Sequence, residues 1–141
     1  MSKGNTFEND WLKLIFNGTA IANIADNAAT SPLTNLYLSM HTADPGEGGD
    51  QTTNEIAYTS YARSATVRGT GGWTVTGSSA STVGAVSFPT GTGGSGTATH
   101  WAVGTAASGA GKVLYSGAIT PNIVCGNAIT PQFTATTVNE D

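Results

Sequence analysis

At 141 residues the chain has the length of one modest domain, with only 10% charged and 38% hydrophobic residues and 19 glycines. Disorder goes with high net charge and few apolar residues, whereas here the net charge is −4 and aliphatic and aromatic residues recur in short groups, as in a Thr/Gly-rich all-β protein. The five basic residues (Lys3, Lys13, Arg63, Arg68, Lys112) are scattered and the pI is about 4.9, so no nucleic-acid groove is expected, and no run reaches the ~20 apolar residues of a membrane span.

The first element is a helix. Phe7, Trp11, Leu14, Ile15 and Gly18 follow the spacing of one helical face, with Thr6 as N-cap, Glu8 and Asp10 in the first turn and Gly18 as the stop. Because Trp11, Leu12 and Phe16 join Phe7, the helix is apolar over more than one stripe and is expected to contribute to an oligomer contact. "FENDWLKLIF" places acids where a secretory leader would be basic, so no signal peptide is expected. "TAIANIADNA" extends the helical pattern by a short turn with Ile21 and Ile24 inward, and Pro32 ends it.

From residue 35 the period becomes two. "NLYLSMH" sets Leu36, Leu38 and Met40 on one face and Tyr37, Ser39 and His41 on the other. "YARSATVR", "WTVTG", "GAVSFP", "ATHWAVGT", "KVLYSGAI" and "ITPQFTATTV" follow, separated by "GTGG", "GTGGSG" and "ASGAG". Pro121 and Pro131 suit strand ends or an edge strand. The expected fold is mainly β: an antiparallel β-sandwich of about seven or eight short strands with an N-terminal α-helix. Residues 1–30 form the helical segment and 31–141 the sandwich, a single structural domain overall. Cys125 is alone, which excludes an intramolecular disulfide, suits folding in a reducing cytoplasm and reads as a small buried residue.

Chemistry is sought first in "HTADPGEGGDQTTNE" (41–55), which holds His41 and four of the nine acidic residues: Asp44, Glu47, Asp50 and Glu55. Those acids miss the register of a calcium loop, and zinc needs more ligands than His41, His100 and Cys125. A glycosidase carboxylate pair usually sits on rigid strand ends in a cleft. "ADPGEGG" has turn chemistry instead, with Pro45 presetting φ and Gly46 supplying positive φ, so the stretch reads as a solvated acidic connection. Gly91, Gly93 and Gly96 match G-x-G-x-x-G formally, yet strand-like sequence follows where a helix should open, and the stretch reads as a hairpin connection. His100, Trp101, Tyr37, Tyr58, Tyr61 and Trp73 suggest a sugar-stacking platform, against which stands the need for aromatics in the core. With no G-x-S-x-G elbow and only two histidines to act as base, no catalytic residue is assigned, and no metal ligand and no cofactor.

The segments "NTFENDWLKLIFNGTAIANIADN", "SPLTNLYLSMHTADPGEGG", "TNEIAYTSYARSATVR", "GGWTVTG" and "TATHWAVGTAASGAGKVLYSGAIT", with the C-terminal "ITPQFTA…ED", together resemble a small family of tailed-bacteriophage and prophage tail fibre proteins. The resemblance runs nearly end to end. It implies a non-enzymatic virion structural protein, a subunit of a tail fibre or similar appendage assembled in the host cytoplasm. It further implies a symmetric homo-oligomer, a dimer favoured, with other virion proteins as partners and host attachment as a role to which the chain contributes. Two alternatives stand beside it: a capsid decoration protein, and a glycan-binding module directed at the host surface.

Overall fold

The computed structural model describes residues 5–21 and 33–139. Ile24 and Pro32, and with them most of the expected second helical turn, lie outside the described residues. The fold is of the expected class, mainly antiparallel β and sandwich-like, with a single short N-terminal helix among the described residues. Among the same residues no helix is long and apolar enough to cross a membrane. Among the described residues nine strands in three sheets stand where about seven or eight were expected. The chain divides into two compact units: residues 1–35, 66–85 and 134–141, and residues 36–65 and 86–133.

In the first unit α1 (Asn5–Leu12) runs into a π-helical turn (Lys13–Asn17), closed by Gly18 at φ 66°, whose N–H donates to the Lys13 carbonyl. The stop is where the glycine was expected, but Thr6 lies inside the first turn and does not cap it. The buried face also differs by one position. Leu12 and Phe16 are fully buried with Glu8 nearly so, Leu14 and Ile15 are half-buried, and Trp11 is 38% exposed. The i, i+4, i+8 row through Glu8, Leu12 and Phe16 is turned about 100° from the expected one, which is the rotation of one residue. Phe16 meets Trp73 with ring centroids 4.3 Å apart. The helix end is held by Arg68, whose guanidinium donates to the Ile15 and Leu14 carbonyls at 2.6 and 2.5 Å. A cation there satisfies orphan carbonyls and complements the helix dipole. β3 (Trp73–Thr76), β4 (Ser79–Thr82) and β9 (Thr137–Asn139) form the three-stranded sheet in the order β3-β4-β9, with Trp73 opposite Thr82 and Ala80 opposite Val138. Trp73, Ala80 and Val138 supply its buried face.

The second unit holds most of a four-stranded sheet of order β2-β1-β6-β7, with β1 at Asn35–His41, β2 at Ser64–Val67, β6 at Ser95–Gly104 and β7 at Val113–Gly126. Leu38 lies opposite Val103 and Met40 opposite Trp101, so Leu36, Leu38 and Met40 pack into an apolar layer as expected. A two-stranded ribbon, β5 (Val86–Ser87) with β8 (Gln132–Phe133), brings Phe88 and Phe133 together at 5.2 Å, and Tyr61 stacks on Phe88 at 6.2 Å. Pro121 stands in β7, the terminal strand of the four-stranded sheet, and Pro131 is buried just before β8, the two settings expected of them. The other face of β1 departs from expectation, because Ser39 and His41 are fully buried as well.

Candidate functional site

Residues 41–55 cover that polar face. The chain leaves β1 at His41 and returns to it at once: Thr42 N–H donates to the Asn54 carbonyl at 2.8 Å, Ile56 N–H to the Met40 carbonyl at 3.0 Å, and His41 bridges Glu55. Between those ends every acid but Glu47 has a structural duty. The Asp44 carboxylate accepts the Gly46 N–H at 3.0 Å, which together with Pro45 and the positive φ of 70° at Gly46 makes the expected turn. The Asp50 carboxylate accepts both the N–H and the hydroxyl of Thr52, at 2.7 and 2.6 Å. Those bonds hold both carboxyls below the usual range, Asp44 chiefly through Gly46 and Asp50 chiefly through the Thr52 hydroxyl.

Inside the loop the polar groups point at the sheet, so the reading of a solvated connection is corrected. Gln51 is fully buried: its Nε2 donates to the Tyr37 carbonyl at 3.2 Å and its Oε1 accepts the Ala106 N–H at 3.0 Å. It fits because Gly111 flanks it, where a Cβ would come within 2.1 Å of Oε1. Once water is excluded a side-chain amide must find such partners, which makes the loop a fitted cover. Glu55 and Arg63 form a bidentate pair, Nε to Oε1 at 2.7 Å and Nη2 to Oε2 at 2.8 Å. The guanidinium also donates to the carbonyls of Ala106 and Gly109, both at 2.9 Å, tying the loop to the β6–β7 hairpin. Tyr61 donates to Glu55 Oε1 at 2.9 Å and accepts the Met40 N–H at 3.1 Å, and burial pushes its hydroxyl far up from its ordinary value.

The structure also brings together a serine and a histidine. Ser39 Oγ lies 2.8 Å from His41 Nε2, and His41 Nδ1 lies 2.9 Å from the Thr53 carbonyl. A carbonyl only accepts, so Nδ1 carries the proton and Nε2 accepts from Ser39. The spacing is that of a nucleophile and its base, but both side chains are 0% exposed and the partner of Nδ1 is backbone, so the pair fastens the loop to β1. Burial outweighs the Thr53 bond and the Glu55 charge and pulls His41 below its ordinary value of about 6.5. The imidazole is therefore neutral in the fold and gains its proton more readily in the unfolded chain. Its contribution to stability is complete above the unfolded pKa and is lost as pH falls through the lower folded value. We expect the urea midpoint to fall between about pH 7 and pH 5, and His41→Gln to flatten that slope. An unchanged slope in the variant refutes the assignment.

The other candidates are dispersed. Gly91 bridges Asn127, Gly93 bridges Thr59 and Gly96 lies in β6 opposite Cys125, so the glycine motif opens a strand. It is no hairpin connection either, since β5 pairs with β8 and β6 with β1 and β7. His100 faces His41 across the sheet, which puts the adjacent Trp101 on the opposite face, over Gly117. Tyr58 and Tyr61 belong to the aromatic layer with Phe88, and Trp73 is buried in the other unit. Cys125 is buried and its thiol pushed up by burial. Among the described residues no three of His, Cys, Asp and Glu are placed to hold a metal. Sequence reading missed Ser39, Gln51, Arg63 and Arg68. The only advance signal was two arginines in a chain that has few cations.

What the second unit does present is an open groove lined by Asp44, Gly46, Glu47, Val113, Leu114, Tyr115 and Ser116. The Ser116 hydroxyl donates across it to the Asp44 carboxylate at 3.3 Å. Over residues 2–139 the chain matches the family model described as podophage GP4 fiber I protein gp80. No match was found among curated proteins.

Proposed function

The chain belongs to the podophage fiber I protein family, a family of phage virion fibre structural proteins, and from that premise we propose that it is the repeated subunit of a tail fibre or similar appendage. The match over residues 2–139 is the observation that carries the reading, because it takes in both compact units. The fold supports it: the polar clusters of the second unit hold a loop on a sheet, which is what a building block requires. In this reading the subunit folds in the host cytoplasm as a single structural domain, joins a second copy and other virion proteins, and aids attachment to the host surface. Antibody against the chain should label the appendages of purified particles, with tens of copies per virion. Labelling of the capsid in hundreds of copies would make it a decoration protein instead.

The dimer has its own measurement. Light scattering on the purified chain is expected to return twice its 14.2 kDa mass. A monomer at all concentrations removes the dimer and leaves the fibre assignment standing.

A further inference from the structure

The strand β7 is 14 residues long and stands at the end of its sheet, so among the described strands only β6 pairs with it. The loop makes a start on its other edge. Lys112 turns toward Thr105, accepting its N–H at 3.2 Å and donating to its hydroxyl at 3.1 Å. Alternation then turns the Gly111 carbonyl the other way, where it accepts the Gln51 N–H at 2.9 Å, and Asp50 bridges Lys112. Past that bridge the loop and the strand touch again where the Ser116 hydroxyl donates to the Asp44 carboxylate at 3.3 Å. What opens between them is the groove, with consecutive residues 113–116 along one wall and Asp44, Gly46 and Glu47 along the other. A wall of consecutive strand residues means that the groove runs along β7.

We propose that this edge of β7 accepts an extended segment of another virion chain, added as a further β-strand and carrying a lysine or arginine over Asp44 and Glu47. The proposal rests on the fibre reading only for the source of the segment. Strand addition draws its affinity from the backbone of an open edge and its specificity from neighbouring side chains. Edges that must stay unpaired carry charges or proline. Here there is no Asp, Glu, Lys, Arg or His from Val113 to Val138, and Pro121 lies beyond the groove. Ser116 and Ala118 are exposed, and Val124 is 62% exposed. Charge selects the occupant. The rim is two exposed carboxylates, and Asp44 stays ionised because Gly46 holds its carboxyl low. A second copy offers a β7 with no cation to answer them and brings a further −4 of net charge.

The test uses the full chain and a labelled octapeptide of alternating threonine and valine with one central lysine, followed by fluorescence anisotropy and by NMR shifts in 113–118. Saturable binding is expected, with about a tenfold loss when glutamate replaces the lysine. The pair D44N/E47Q should erase that difference, and N-methylation of alternate peptide amides should abolish binding. The proposal is overturned by absence of saturation up to about 1 mM with the protein folded, by binding indifferent to N-methylation, or by shifts confined elsewhere. A dimer that excludes the peptide from β7 overturns it too, in favour of a second copy. None of these outcomes bears on particle labelling, which reads where the chain resides.

Discussion

Trp73→Ala is expected to lower stability by about 3–5 kcal/mol, the range for emptying an aromatic site in a core. Trp73 is 0% exposed and opens β3, and its ring meets Phe16 at 4.3 Å and 47°. Among the described residues the first unit has few other large side chains to close over the space, since beside Phe16 its buried apolar residues there are Leu12, Ile21, Ala80 and Val138. For a domain whose whole margin is about 5–15 kcal/mol, that loss leaves a substantial unfolded fraction. Phenylalanine at the same position should cost less than half as much. It keeps the ring contact, and the indole N–H it deletes is buried without a hydrogen-bond partner among the described residues. Urea denaturation followed by circular dichroism measures both variants. A loss under about 1 kcal/mol for alanine would mean that Trp73 is no keystone of its unit.

Glu55→Ala should be nearly as damaging, at about 3 kcal/mol, for a different reason. The Arg63 side chain is 2% exposed and its partner carboxylate 16%. Removing the carboxylate strands a guanidinium where water cannot replace it, and the Ala106 and Gly109 carbonyls offset only part of that penalty. It also removes the acceptor of Tyr61. The effect should persist in about 1 M salt, because a pair withdrawn from solvent is poorly screened. Hydrogen exchange at 105–112 should rise in the variant, since Arg63 is the brace between loop and hairpin. Replacing both partners, as in Glu55→Leu with Arg63→Met, should be milder than Glu55→Ala alone. If the double variant proves the worse, the pair owes its value to the hydrogen bonds to backbone.

Much of the strand pattern could be read in advance, and the errors have a common cause. β1, β3 and β6 announced themselves by alternation around Leu36, Leu38, Met40, Trp73, Val75 and Trp101. β4 was missed because "SAST" carries no large apolar residue, and only Ala80 and Thr82 are buried in it. The helix was found but its inward face was set one residue off, because Trp11 is the larger side chain while Leu12 and Phe16 reach Trp73's sheet. In the acidic loop the turn at Pro45 and Gly46 was legible, since it depends on neighbours in sequence. The burial of His41, Gln51 and Arg63 was not, since polarity in sequence reads as exposure.

The sequence by itself determined the class of fold, the turn at Pro45 and Gly46, and the resemblance to a phage fibre family that the match over residues 2–139 bears out. These follow from periodicity, backbone preference and composition, which are properties of short stretches or of the whole chain. Only the tertiary structure decided which polar residues are buried and with whom. His41 meets Thr53 across 12 positions, Gln51 meets Ala106 across 55 and Arg63 meets Gly109 across 46. A buried polar group needs a partner at hydrogen-bond distance, and such partners come from segments that the sheet, and no local pattern, brings together. The same holds for the place of β7, whose sequence reads like any other strand until the order of the described strands leaves it last in its sheet.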